Sequence, residues 1–506
     1  MARLLCVALV SFAVTACAGP HAGLDGGVDG GRDAGGGLDA GRDAATTLDA
    51  AAVDAGHDAH FVDALVARDA WLDDFGPNPQ ADGGPRDLGI DMNAADLGVD
   101  SGPYDSGIDL GVDLGIDGGC RPPALGGYWS PVGTLRGALP GDTPAQMPNI
   151  VIDDLGRPVV VWRERTSPST LEVHAARWDG AAWVALSGAF NRVVGSGADW
   201  PTIAIDHDVP IVTWQESGPG FMPEEIYAAR WDEGAGLWTP LGGGLSTVPG
   251  ATTSEKPSVT VLADGTIVVG WHEEDGLGGM DVHVSRWTGS SWLPLGGALS
   301  ALPGSSTWGW RASVTGVSTP YVAWDEGNAT TLSQVFVRRW DGAAWQPVGA
   351  LLEALPMPST ANYSSLAIRS IAGTEQLAIA WRENPIPITR ADSFAARWID
   401  PAWTPLGATP VSASLPTTSG SGLPHLALDQ DGSPVMVWSA TGTDQRLRVV
   451  RFEAGDWQPL GGPIDAGFDG SPNLSAIALD ACGTPFVAFD EGVGMQEVFV
   501  YRYVAP

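Results

Sequence analysis

The chain has 506 residues, length enough for two or three ordinary domains, with 22 tryptophans and a formal charge of −34. Asp and Glu outnumber Lys and Arg by 60 to 26, a surplus that repels phosphate and argues against nucleic acid as a partner. The charge is uneven: between Ala18 and Gly119 stand 21 Asp against four Arg, so an acidic segment precedes a domain of more ordinary composition.

The chain opens with MARLLCVALVSFAVTAC: one early cation, Arg3, then an apolar run from Leu4 to Val14 that is too short to span a bilayer as a mature helix. It reads as an export signal. Its ending, Val14 to Cys17 (VTAC), resembles the bacterial lipoprotein box, in which an aliphatic and two small residues precede the cysteine to be acylated. That resemblance implies a signal peptide over residues 1–16 and Cys17 as the lipidated mature N-terminus, held in the bilayer by its acyl chains. Ala18 follows the cysteine instead of Asp, which implies the outer membrane of the cell envelope. The other reading is an ordinary signal peptide cut nearby.

Residues 17–119 are a linker rich in Asp, Gly and Ala. They have too little apolar surface to offset the entropy of ordering, and their like charges favour an extended, disordered tether. Asp96, Asp100, Asp105, Asp109, Asp113 and Asp117 recur at four- or five-residue intervals, a pattern that also suggests calcium. Known calcium loops use tighter spacing and a fixed glycine, so a solvated spacer is the preferred reading. Phe61 to Phe75 is one apolar island within it.

From residue 120 to 506 one phrase repeats. An apolar run ends in an aromatic residue at Trp162, Trp214, Trp271, Trp324, Trp381, Trp438 and Phe489, at steps of 51 to 57 residues. Arg followed by an aromatic recurs from Arg177-Trp178 to Arg502-Tyr503, and a Trp leading into PLG or a variant recurs at Trp183, Trp238, Trp292, Trp345, Trp403 and Trp457. Each unit reads as four short strands, A to D, with turn residues between them, and no helical period appears. Four strands per unit at this period predict an all-β fold, a seven-bladed β-propeller.

The last unit lacks strand D, whereas GYWSPVG (Gly127 to Gly133) precedes the first strand A. The N-terminal strand is therefore expected to close the last blade and remove the exposed sheet edges. Cys120, before that strand, and Cys482, in the last A–B turn, then fall at one end of one blade, so a disulfide is expected between them.

Variable B–C and D–A loops share one face, which is the expected binding face. Six blades place an acid two residues after the strand B aromatic: Glu164, Glu216, Glu273, Glu326, Glu383 and Glu491, with Ala440 breaking the set. These read either as a ligand-attracting ring or as strand ends that are solvated or bonded to loop amides. Trp200, Trp308 and Trp310 lie outside the repeat anchors and read as a sugar platform or as plugs of the channel mouth. His174, His207, His272, His283 and His425 lack metal-ligand spacing and read as surface or packing residues.

The architecture resembles the bacterial and fungal propeller lectins, whose repeats carry Trp, Arg and Glu around fucose; their motif wording is not matched, so no residue roles follow. The turns also lack the Ser and Trp of the sialidase Asp-box, and no catalytic motif is found. The sequence thus predicts a monomeric envelope lipoprotein with a non-catalytic module for a protein or glycan and no cofactor. The alternatives are a glycan-cleaving hydrolase and a purely structural surface protein.

Overall fold

A computed structural model describes residues 121–506, apart from stretches 139–142, 168–169, 193–195, 218–222, 303–305, 308–311, 329–331, 357, 388–389, 408–409, 415–419, 442–444 and 468–469. The signal segment, Cys17, the acidic linker and Cys120 lie outside the described residues. Among the described residues no helix is long and apolar enough to cross a membrane.

The strands form seven antiparallel sheets, and the protein is a seven-bladed β-propeller. Blade 1 shows the pattern: strand A (Ala145–Ile152), B (Pro158–Ser167), C (Thr170–Trp178) and D (Trp183–Ala185), hydrogen-bonded in that order. In blades 4 and 6 strand A comes in two pieces, Ser306–Thr307 with Ser313–Gly316 and Gly420–Ser421 with His425–Leu428, so these sheets hold five strands.

The ring closes as the missing strand D requires. Tyr128–Pro131 pairs antiparallel with Glu497–Val504 in the last blade, with Trp129 opposite Tyr503. Their rings meet edge to face with centroids 5.5 Å apart. The buried Tyr503 hydroxyl accepts the Gly127 N–H at 2.7 Å and donates to the Ala124 carbonyl at 2.8 Å, which anchors the entering chain.

The repeated wording has a packing reason. Every strand D tryptophan donates its indole N–H to a backbone carbonyl of the preceding blade. Trp183 reaches Val132 (2.7 Å), Trp238 Leu186 (2.8 Å), Trp292 Leu241 (2.7 Å) and Trp345 Leu295 (2.6 Å). Trp403 reaches Val348 (2.8 Å), Trp457 Leu406 (2.9 Å) and Trp129 Leu460 (2.8 Å). The acceptor is the Leu or Val just before the glycine of the PLG phrase, a place that Ser187 takes after Leu186. All six glycines, and Ser187 too, have positive φ: at Gly349 (φ +74°) a Cβ would come within 2.8 Å of both Trp398 and Trp403 of the next blade. The Arg-aromatic ring completes the motif, since Trp398 and Trp403 pack with centroids 5.3 Å apart and each other blade has the equivalent pair.

Inside, the strand B aromatics Trp162, Trp214, Trp271, Trp324, Trp438 and Phe489 are almost fully buried between blades. His174 and His283 stack on Trp162 and Trp271, the places that Tyr227, Phe336, Phe394 and Phe499 take in other blades. Around the channel, side chains staple successive A strands: Ser258 accepts the Val314 N–H, Ser313 that of Leu366, Ser365 that of Leu426, and His425 that of Ile477, all between 3.0 and 3.2 Å.

The A–B turns are built by their aspartates. Asp153 Oδ1 accepts the N–H groups of Leu155 and Arg157, while Gly156 takes φ +75°. Asp480 does the same for Cys482 and Thr484, which places Cys482 in the A–B turn of the last blade.

Replacing Trp457 by Phe keeps the ring but removes one inter-blade donor and strands the Leu406 carbonyl. The expected cost is about 1–3 kcal/mol in urea unfolding; an unchanged midpoint would show that the bond carries no weight.

Candidate functional site

The glutamates come first, because two readings of them stood open. All six are at most 2% exposed, so they are no solvated ring on a face. Each strand B ends under the D–A loop that leads into its own blade, and the carboxylate ties that loop down. Glu383 accepts the Trp381 indole N–H (2.9 Å), the Ala354 and Leu355 N–H groups and the Ser359 hydroxyl. Glu326 accepts from Trp324, Ser300, Ala301 and Leu302. Glu164, Glu216 and Glu273 repeat the arrangement with Trp162, Trp214 and Trp271 and their own loop donors. Glu491, whose strand has Phe489 in place of Trp, accepts the Ala466 N–H. At Glu273 burial acts to raise the pKa, but the hydrogen bonds from Thr247, Thr252 and Trp271 outweigh it and hold the carboxyl below its usual range. Of the two readings of these acids, the hydrogen bonds fit the one in which strand-end carboxylates bond loop amides.

The strand C arginines run to the other face. Arg177 donates to the Asp208 carbonyl and Arg397 to that of Gly432, each in the A–B turn of the following blade, and Arg451 donates to that of Pro123, in the segment that leads into the closing strand.

What the glutamates surround is a channel mouth. The seven A strands enclose a cavity of about 410 Å³. Near their start, on the B–C and D–A face, the A strands of four blades carry a bulge where the register shifts, between Gln146 and Asn149, Asp199 and Thr202, Glu255 and Ser258, and Asn362 and Ser365. The first residue of each bulge is a non-glycine in the left-handed region: Met147 (φ 56°), Trp200 (49°), Lys256 (54°) and Tyr363 (56°). Such residues cost on the order of 1–3 kcal/mol each and persist where the surroundings enforce them. The neighbouring blades enforce three of these. Gln215 accepts the Lys256 N–H at 2.7 Å, and Asp325 and Asp490 accept the N–H groups of Tyr363 and Met147.

Trp200 is thus brought to the mouth, its backbone N–H bonded to Asp199 at 2.7 Å and its ring facing the Lys256 ammonium at 5.9 Å. Arg382 lies over the Tyr363 ring at 5.5 Å. Trp308 and Trp310 lie outside the described residues.

Behind this collar runs a polar ring, the residue just before each glutamate position: Arg163, Gln215, His272, Asp325 and Asp490, all buried, and Arg382, half-buried. Arg163 pairs with Asp199 at 2.5 Å. Burial pushes the Asp325 carboxyl up to about 8 against the pull of Lys256 and the Tyr363 N–H, and the Asp490 carboxyl up to about 7 against the Met147 N–H and Arg163. Burial pushes His272 down to about 3 and the Tyr363 phenol up to about 12. Acceptor oxygens remain without a hydrogen-bond donor here: one each on Asp325, Asp490, Asn362 and Asn384.

Sequence reasoning found Trp200 but missed the rest of the collar. A signal was available: Met147, Trp200 and Lys256 each stand immediately before a proline at the start of strand A. Among the described residues no cluster of His, Cys, Asp or Glu could hold a metal ion.

The molecule is thus a propeller of seven tryptophan-latched blades with a polar and aromatic collar at one channel mouth. No protein family matches the chain, and no curated protein does. Among solved structures it is similar to a protein of unknown function from Dyadobacter fermentans, at 12% identity and a TM-score of 0.42, over 75% of this chain and 99% of that one. It is similar to Trypanosoma rangeli sialidase at 12% identity and a TM-score of 0.42, over 75% of this chain and 60% of that one. Penicillium chrysogenum α-L-arabinanase matches at 12% identity and a TM-score of 0.40, over 75% of this chain and 97% of that one. No activity carries over from likenesses this distant.

The raised acid pKa values fix a sign. A carboxyl whose folded pKa lies above its unfolded value near 4 stabilises the fold fully below that value, and the contribution is lost as pH rises through the folded pKa. For Asp325 and Asp490 the window runs from about pH 4 to about 7–8. Asp325→Asn and Asp490→Asn should therefore raise Tm relative to the parent at pH 9 and match it near pH 4; a pH-independent difference in differential scanning fluorimetry would refute this.

Proposed function

We propose that this is a lipid-anchored envelope protein, in the outer membrane, whose propeller binds a glycan or a protein segment at the channel mouth without chemistry. The observation that carries the reading is the collar: four non-glycine residues held in left-handed backbone at equivalent places around one opening. Strained backbone and strand bulges concentrate where a side chain must be aimed at a ligand. The chemistry of the rim supports the same reading. Trp200 and Tyr363 supply aromatic surface, Lys256 and Arg382 supply donors, and the donor-lacking oxygens behind them suit a ligand rich in hydroxyl or N–H groups.

Anchoring rests on the VTAC box and the long acidic linker. The pairing of Cys120 with Cys482 rests on the chain's entry: Pro123 is bonded to Arg451 of blade 6, and the first strand then lies in the blade that holds Cys482. Mass spectrometry of a non-reduced digest of the mature protein should show both features, an acylated N-terminal Cys17 and a Cys120–Cys482 peptide. Free thiols at 120 and 482, or an unmodified N-terminus elsewhere, would overturn the corresponding part.

Binding is tested with glycan and peptide arrays probed by the purified protein. Trp200→Ala and Tyr363→Ala should each weaken a hit at least about tenfold. Hits insensitive to both substitutions would move the site elsewhere. Absence of hits together with glycan hydrolysis would replace binding with catalysis.

A further inference from the structure

Blade 6 departs from its siblings at two adjoining places. Five blades hold a carboxylate within 3.1 Å of the strand B indole N–H, from Glu164, Glu216, Glu273, Glu326 and Glu383. Blade 6 has Ala440 there, 2% exposed, beside the fully buried Trp438. The Trp438 Nε1 atom is buried and has no hydrogen-bond partner. Directly across the strand pair from Trp438 stands Arg448, 7% exposed, where the other six blades have His or an aromatic ring. On the opposite strand Ser421 faces Ala440, and its hydroxyl lies 2.7 Å from that of Ser393, both fully buried. One blade has therefore lost the acid of the repeat, gained a base, and kept the indole donor that the acid satisfied elsewhere.

We propose that blade 6 is a carboxylate-binding site, in which the acid group of a ligand takes the place that a glutamate side chain fills in the sibling blades. The sibling blades give the geometry: a carboxylate oxygen about 2.8–3.1 Å from the indole nitrogen. The Trp438 N–H donates to it, the Ser421 and Ser393 hydroxyls lie alongside, and Arg448 brings positive charge to the position that His or an aromatic ring takes in the siblings. Burying a lone indole N–H costs free energy that a charged acceptor recovers. The site is distinct from the channel mouth and stands whether or not the mouth binds a glycan. Its ligand is a small free carboxylate or the acidic side chain of a peptide.

The test uses the full mature chain at fixed ionic strength. Sodium propionate, in place of sodium chloride, should raise Tm saturably by about 1–3 °C. A Glu-containing tripeptide, blocked at both ends, should produce the same shift only if peptide side chains are a source of the acid; if propionate alone acts, the ligand is a free acid. Ala440→Glu, which supplies the missing side chain, should remove the response. Trp438→Phe, which removes the donor but keeps a ring, should remove it too. Glu383→Ala provides a positive control, since it recreates the arrangement in blade 5 and should add a second propionate response. A parent protein indifferent to propionate while Glu383→Ala responds would overturn the proposal, as would a response that survives Trp438→Phe.

Discussion

The inter-blade hydrogen bond from the strand D tryptophan to the carbonyl before the PLG glycine sets the rest of the structure. Blades of this kind share no strand ladder, so something other than sheet hydrogen bonding must fix the angle between them. The indole does so at the outer edge, where its N–H finds a carbonyl between 2.6 and 2.9 Å away in all seven blades. Around the channel the serine and histidine staples do the same for the A strands. With both edges pinned, the strand B aromatics fill the wedge between.

A ring held at its rim and its hub can support local strain. Three of the four left-handed residues at the channel mouth, Met147, Lys256 and Tyr363, are gripped by a side chain of the neighbouring blade, so the cost of their backbone is met by contacts between blades. The buried glutamates serve the same end on the outer side. Each fastens a D–A loop, the kind of segment that would otherwise be most mobile on this face. The face is variable in sequence yet tied at regular points, so its loops vary on a rigid scaffold.

The repeats, the strand assignment, the count of blades and the closing strand were all legible in the sequence, because each depends on spacing along the chain. The glutamates show where that legibility stopped. Their recurrence two residues after an aromatic was plain, but a strand end reads the same whether water or a returning loop covers it. Only the path of the D–A loop, set by where the previous blade ends in space, decides that Glu383 meets the amides of Ala354 and Leu355. The collar was missed for a related reason. Met147, Trp200, Lys256 and Tyr363 share no single side-chain chemistry, and what unites them is a left-handed backbone conformation.

By itself the sequence determined the fold and its order. Tryptophan, arginine, aspartate and glycine at fixed intervals admit one packing of four-stranded units, and a strand displaced to the N-terminus admits one way to end it. Tertiary structure decided which polar groups face water, which carboxyls are pushed up by burial, and which side chains converge on the channel mouth. Those depend on the environment each residue meets after the circle closes, and residues brought together across blades lie some fifty positions apart in the chain.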